Sequence, residues 1–276
     1  MIPLNWKSTV ASLGLVLAAV GLAACSHYTV VLRYPKESAN IFTERPATSL
    51  YVAQPADLRS QKEREGKGAF VSLRFPADDK LDVPVASVVR RALMQDILNT
   101  RVARLVQNPE NADYLLHTQV LSMTTKLKRS GKQFAVPVLA GLGVGFAAGA
   151  GADLSHGIKV GLVGMLLGTF IPLPTETEGV VELRLELRDR ETNEVVWNTT
   201  CTGSEKQKVA ISISAREDKK LAERFLPAAL KRANACAVGQ LYQFLLSETS
   251  SVKTNDSQME PAQPDSQMEP APVDSL

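Results

Sequence analysis

The sequence contains few of the residues that build catalytic and metal sites. Its 276 residues include three histidines and three cysteines. His27, His117 and His156 have no cysteine, aspartate or glutamate at the spacing of metal ligands, which indicates structural or solvated roles. A Gly-x-Ser-x-Gly segment and a Gly-x-x-x-x-Gly-Lys-Ser/Thr phosphate loop are also absent. We therefore expect no catalytic residues, no metal and no cofactor, and we expect that the protein is not an enzyme.

The sequence also lacks a strong excess of charge. The formal net charge is +2, so the basic excess of a nucleic-acid-binding domain is missing and we expect no nucleic-acid partner. The charge is unevenly distributed, because the chain from Ser247 onward carries six acidic residues and one lysine. The remaining mature chain is modestly basic, which fits either an ordinary solvated surface or a surface that faces anionic headgroups.

The N-terminus is typical of a bacterial export signal rather than a transmembrane helix. Lys7 supplies a positive charge, and a short apolar run follows over Val10–Leu22. Ala23 and Ala24 then precede Cys25, and the segment Leu22-Ala23-Ala24-Cys25 resembles a lipobox. This resemblance implies that Cys25 is lipidated, becomes the first mature residue and anchors the protein to a membrane. Because Ser26 rather than an aspartate follows, the resemblance favours the bacterial outer membrane.

The two remaining cysteines form an even set in an oxidising compartment. Cys201 and Cys236 are therefore candidates for a disulfide bond. Two unpaired buried thiols are the alternative, since free cysteine is often buried.

Residues 134–171 form a long apolar segment that is unusual in a soluble domain. Small residues at a four-residue spacing allow helices to approach closely inside a membrane. We interpret the segment as a helical hairpin, with arms of about 19 and 15 residues that reach roughly 28 and 22 Å. A Gly-rich buried core hairpin or a loop is the alternative. The glycines predicted to pack the hairpin or its oligomer are Gly141, Gly145, Gly149, Gly157, Gly161, Gly164 and Gly168.

The rest of the chain predicts an α/β fold, a small sheet with two packing helices. Val181, Leu183, Leu185 and Leu187 alternate with charged residues, which is typical of a half-buried strand. Further strands are predicted over 48–53, 70–75, 102–106, 114–123 and 195–202, and a loop is predicted over 61–67. Helices are predicted after Asp82 and over 217–246. Pro227 should start a second segment in the latter helix or kink it. The apolar hairpin is then an insertion between two strands of one sheet.

These patterns divide the chain into six parts. The C-terminal part repeats the sequence Asp-Ser-Gln-Met-Glu-Pro-Ala at Asp256 and Asp265, a composition that cannot offset the entropy of ordering and predicts disorder. The predicted parts are a lipoprotein signal peptide (1–24), a linker after the lipidated cysteine (25–47), the first part of the α/β body (48–133), the Gly-rich hairpin (134–174), the second part of the body (175–247) and a disordered acidic tail (248–276).

The order of these parts resembles a known family. A lipobox is followed by Ala112-Asp113-Tyr114-Leu115-Leu116, by a Gly-rich insert containing Gly161-Leu162-Val163-Gly164-Met165, and by a regular strand at Val180–Arg188. This order is similar to that of the TraT surface-exclusion and complement-resistance lipoproteins. The resemblance implies a ring-like homo-oligomer with hydrophobic hairpins in the outer membrane, and an envelope or surface-protection role.

A second resemblance leaves another function open. The segments 85–123 and 181–202, which include Val195-Val196-Trp197, are similar to small periplasmic lipoproteins that assist envelope transport systems. On that interpretation the body is an adaptor for an envelope protein partner and the insert is a docking element.

Overall fold

The computed structural model describes residues 28–36, 42, 46–66, 72–128, 139, 143, 147, 173–211 and 215–256. The predicted signal peptide, Cys25, residues 257–276 and nearly all of the apolar insert therefore lie outside the described residues. This includes all seven glycines predicted to pack the hairpin. Leu139, Gly143 and Ala147 are the described positions of the insert, and they are helical and exposed.

The described chain confirms the predicted α/β class with a seven-stranded sheet and three α-helices. The strands are β1 (Ser49–Val52), β2 (Ala56–Asp57), β3 (Ser72–Phe75), β4 (Arg104–Leu105), β5 (Tyr114–Lys128), β6 (Leu173–Asp189) and β7 (Val195–Ile211). The helices are α1 (Gln61–Arg64), α2 (Val85–Thr100) and α3 (Ala215–Asp256). The strand order is β4-β1-β5-β6-β7, and β2 and β3 also pair with β5.

Three long antiparallel strands form the centre of the sheet. β5 pairs with β6 from Tyr114 opposite Asp189 to Lys128 opposite Glu176. β6 pairs with β7 over nearly its whole length, ending with Leu173 opposite Ile211. The alternating pattern predicted for β6 is present, because Val181, Leu183, Leu185 and Leu187 are all buried on one face. Each such burial stabilises the fold by about 1.5–3 kcal/mol.

The helices α2 and α3 cover this apolar face. α2 buries Val89, Leu93 and Ile97, and α3 buries Leu226, Leu230 and Leu241, all within one core cluster. The predicted boundaries of α3 are wrong at both ends, since the helix runs from Ala215 to Asp256. Residues 248–256, predicted as part of the tail, are therefore helical.

Two local predictions also differ from the structure. Residues 61–64, predicted as loop, form the single turn α1, which is held because buried Glu63 accepts hydrogen bonds from Ser122 (3.0 Å) and Arg74 (3.4 Å). Pro227 lies inside α3 and does not divide it into two helices. Proline costs about 3 kcal/mol inside a helix, and the burial of Phe225, Leu226 and Leu230 around it offsets that cost.

The insert lies in the sequence between two strands that pair with each other, as predicted. Residues 129–172 connect the end of β5 to the start of β6. The predicted boundary at residue 174 is slightly late, because Leu173 and Pro174 already pair with Ile211 and Ala210 of β7.

β7 lies directly against α3, and a covalent bond holds the contact. Cys201 and Cys236 form the expected disulfide, with their Cα atoms 5.9 Å apart. Gly203 lies two residues further along β7, where a β-carbon would be 1.9 Å from the carbonyl oxygen of Ala229 and 2.5 Å from the nitrogen of Ala233. Glycine is therefore required at position 203 for the strand to reach this distance from the helix.

We predict that Gly203→Ala destabilises the fold by about 1–3 kcal/mol or more, because the added methyl group must push β7 away from α3. The matched control is Gly239→Ala, where a β-carbon meets nothing within 4 Å. Alanine there should leave stability unchanged or raise it by about 0.5–1 kcal/mol, since glycine weakens a helix interior. Urea unfolding of the full chain in mild detergent measures both, and equal stability of the two variants would contradict the close contact.

Candidate functional site

The end of the sheet that carries the insert is the most distinctive region of the described structure. β5 ends there at Lys128, and β6 begins there at Leu173. Since neighbouring strands are about 4.7–4.9 Å apart, the chain leaves and re-enters the body at closely spaced points. β7 ends at the same place with Ile211, and α3 begins four residues later at Ala215. We call this region the insert end.

The described N-terminal segment begins near the insert end. The ring of Tyr28 lies 5.8 Å from the ring of Phe75, and Phe75 pairs with Thr125 near the end of β5. Burial raises the pKa of Tyr28, the Lys80 charge opposes this, and Asp218 in the first turn of α3 raises it further. Tyr28 is thus close to the start of α3.

From Tyr28 the chain runs along the helices toward the opposite end of the body. The backbone N–H of Val31 donates to Glu223 of α3 (3.0 Å). The carbonyl of Lys36 accepts a hydrogen bond from Asn99 near the end of α2 (3.1 Å). We call residues 28–36 the N-terminal strap.

A buried polar cluster fixes the middle of the strap. The Tyr34 hydroxyl donates to Asp96 of α2, and Asp96 also forms an ion pair with Lys231 of α3. The Asn234 amide donates to the Tyr34 oxygen at 3.0 Å. Asp96 is 3% exposed and Asn234 is fully buried. The cluster therefore joins the strap to both helices.

The cluster also sets the ionisation of Tyr34. Burial raises the pKa of Tyr34 above its ordinary value of 10.0, and the hydrogen bond to Asp96 raises it further. A group whose pKa is higher in the folded than in the unfolded protein stabilises the fold at any pH below its unfolded-state pKa. This stabilisation is lost as the pH rises through the folded-state pKa. The neutral phenol therefore supports the strap across the physiological range.

Charged side chains form two parallel rows across the sheet at the insert end. One row is Lys126 opposite Glu178 and Glu178 opposite Lys206, and the next is Lys128 opposite Glu176 and Glu176 opposite Lys208. The two rows lie on one face, because their members are two residues apart along each strand. We call these six residues the lysine collar.

The electrostatics of the collar show that its charges act on one another. Lys206 and Glu176 form an ion pair with a nitrogen–oxygen distance of 3.2 Å. Lys206 lowers the pKa of Glu176 through this hydrogen bond and through its charge, and the charges of Lys128 and Lys208 lower it further. Sequence reasoning missed the collar because its members come from three strands, although the Lys-x-Lys spacing at 126–128 and 206–208 is a visible signal.

Farther from the insert end, the same face of the sheet carries surface ion pairs. Arg188 pairs with Glu186 at 3.2 Å, as expected for the alternating charges of β6. Burial lowers the pKa of His117, and the nearby Arg188 charge lowers it further. His27 and His156 lie outside the described residues.

A cleft of about 220 Å³ is lined by Gln54, Ser87, Arg90, Arg91 and Met94. No histidine or carboxylate stands beside the Ser87 hydroxyl among these lining residues. Arg90 uses its Nε–H to donate to the carbonyl of Val52 (3.1 Å). The described part of the chain holds no group of three histidine, cysteine, aspartate or glutamate side chains suited to a metal ion. Among the described helices, none is both long and apolar enough to span a bilayer.

No protein-family model and no curated protein matches this chain. A DUF330 protein from Xanthomonas campestris matches the structure with 11% identity, a TM-score of 0.42, and coverage of 83% of this chain and 99% of that chain. A neuraminyllactose-binding hemagglutinin homologue from Helicobacter pylori has 8% identity, a TM-score of 0.40, and coverage of 82% and 99%. A lipoprotein from Neisseria meningitidis has 8% identity, a TM-score of 0.27, and coverage of 74% and 99%. Similarities at this level assign neither a family nor a function.

We predict that Asp96→Asn destabilises the protein by about 3 kcal/mol or more, because it leaves the Lys231 charge without its buried partner. Adding Lys231→Met should recover part of the loss, since both charges are then removed. Lys220→Gln serves as the control, because the exposed Lys220–Glu217 pair should contribute at most about 1 kcal/mol.

Urea unfolding measures the stability of these variants, and limited proteolysis reports release of the strap in Asp96→Asn. Equal stability of Asp96→Asn and Lys220→Gln would show that the buried cluster does not hold the strap.

Proposed function

We propose that this protein is a non-enzymatic lipoprotein of the bacterial outer membrane. In this proposal it stands with its insert end on the membrane and assembles into a homo-oligomer through the Gly-rich insert. Its role is in the cell envelope, as a surface-protection or exclusion factor. The observation that supports the proposal best is that the N-terminal strap and the insert both depart from one end of the body.

Attachment at one end allows two membrane anchors to act together. Cys25 precedes Tyr28 by three residues, a length of chain that reaches at most about 11 Å. A lipid on Cys25 and the segment 134–171 could therefore enter the same membrane without distorting the body. A single acyl chain binds a membrane only marginally, whereas two signals bind it stably.

The parts of the body next to the two proposed anchors are held rigidly. Tyr34 is tied to α2 and α3 through Asp96 and Asn234, and the disulfide ties β7 to α3. The insert is held between β5 and β6, which pair up to Lys128 opposite Glu176. The orientation of the body should therefore follow the orientation of its anchors.

Assembly through the insert follows from its glycines. Helices associate inside a bilayer through close packing of small residues rather than through the hydrophobic effect. In a helix, the four-residue spacing of Gly141, Gly145 and Gly149 would place them on one face. Because every copy stands on the membrane in the same orientation, a closed ring around the membrane normal is the simplest assembly.

We predict that Gly145→Leu together with Gly149→Leu lowers the oligomeric state, while the lipidated protein remains bound to the membrane. The control is Gly143→Leu, which makes one such change two residues before Gly145, a spacing that corresponds to the opposite side of a helix. A β-carbon at Gly143 meets nothing within 4 Å. The particle mass in detergent, measured by light scattering, should fall for the double variant and stay unchanged for the control.

Two further variants separate anchoring from assembly. Cys25→Ser should accumulate as an unprocessed precursor without lipid label, and normal processing of it would contradict the lipid anchor. Deletion of residues 134–171 should leave a lipidated, folded and mostly monomeric protein. If that deletion keeps the full oligomer and the glycine variants change nothing, the insert is not the assembly element, and the alternative of a transport-system adaptor becomes the better function.

A further inference from the structure

We propose that the lysine collar is a binding surface for the phosphate groups of anionic lipids at the membrane surface. This inference deepens the proposed function and rests on the insert end facing the membrane. The collar residues are all described, and they border the points where the insert leaves the sheet.

The collar lies at the base of the insert. Lys128 is the last residue of β5, and its partner Glu176 lies three residues after the start of β6. Residues at the base of a membrane-inserting segment lie at the level of the headgroups, where lysine is favoured because its ammonium group reaches phosphate while its stem covers apolar surface. Lys128, Lys206 and Lys208 are exposed, so their side chains are free of the core.

The charge of the collar suits it to an anionic surface. Four lysines surround two glutamates, so the patch has an excess of positive charge even with both carboxylates ionised. Basic residues next to a membrane gain affinity from the negative potential of anionic lipids, and this gain falls off within a Debye length.

The collar is held rigidly, and all of its cations are of one kind. Behind it, on the other face of the sheet, Leu127 packs with Leu221 and Phe225 in a separate apolar cluster. A β-carbon on Gly179 would lie 2.8 Å from Phe225, which shows how closely α3 supports these strands. The collar cations are all lysines, whose ammonium groups act as hydrated point charges. Such charges suit the many mobile phosphate groups of a lipid surface better than one ligand bound through two parallel hydrogen bonds.

The test compares how fast each lysine is acetylated when the lipidated full chain is reconstituted into two kinds of vesicle. One is phosphatidylcholine alone, and in the other about a third of the lipid is phosphatidylglycerol. Mass spectrometry reads the rate at Lys126, Lys128, Lys206 and Lys208. Lys36, an exposed lysine whose backbone contacts Asn99 toward the opposite end of the body, is the internal reference.

We expect the collar lysines to react roughly fivefold more slowly in the anionic vesicles than in the neutral ones, with Lys36 unchanged. At about 1 M salt the difference should disappear, because the Debye length falls to about 3 Å. If the collar lysines react more slowly than Lys36 to the same extent in both vesicles, the end-on orientation stands but the binding of anionic lipid is overturned. Collar lysines that react like Lys36 in both vesicles would overturn the orientation as well.

A pair of variants tests whether the collar charge causes the effect. Lys128→Gln with Lys208→Gln should reduce the difference at Lys126 and Lys206 to about twofold or less. Arg184→Gln with Arg190→Gln removes the same charge from exposed positions farther from the insert end, and it should leave the full difference. An equal effect of both variant pairs would attribute the protection to the net charge of the protein and would overturn the collar as the binding surface.

Discussion

The long antiparallel pairing of β5, β6 and β7 is the constraint on which the rest of the structure depends. It carries the polypeptide from Tyr114 to Lys128 and back along β6, so that a long apolar insert begins and ends at one edge of the body. It also aligns the apolar positions of β6 on one face, where α3 packs against them. The lysine rows exist because the same register places Lys126, Glu178 and Lys206 side by side.

The parts of this fold that sequence reasoning predicted are those encoded locally. The two-residue alternation of β6 is visible over Val181–Leu187, and β7 follows it across a short turn, so both strands and their pairing were predictable. The position of the insert between two strands followed from them. The Cys201–Cys236 pair was a candidate by count alone, since these two cysteines remain after the lipobox cysteine.

The parts that were missed depend on contacts between distant residues. α1 forms because Glu63 meets Ser122 and Arg74, which a local pattern of charged residues cannot show. α3 continues through Pro227 because tertiary burial on both sides outweighs the local cost of proline. The strap was invisible for the same reason, since Tyr34 reaches Asp96 and Asn234 only in the folded chain.

Together these features describe a body with two different ends. The strap and the insert depart from one end, where lysines line the sheet, and α3 runs from that end for 42 residues, a length of about 63 Å. If the insert end faces the membrane, α3 stands upright on the bilayer. Neutron reflectometry of the full lipidated protein on a supported bilayer measures this orientation. We expect a protein layer roughly 60 Å thick, the length of α3. A layer of about half that thickness would show that the body lies flat and would contradict the end-on orientation.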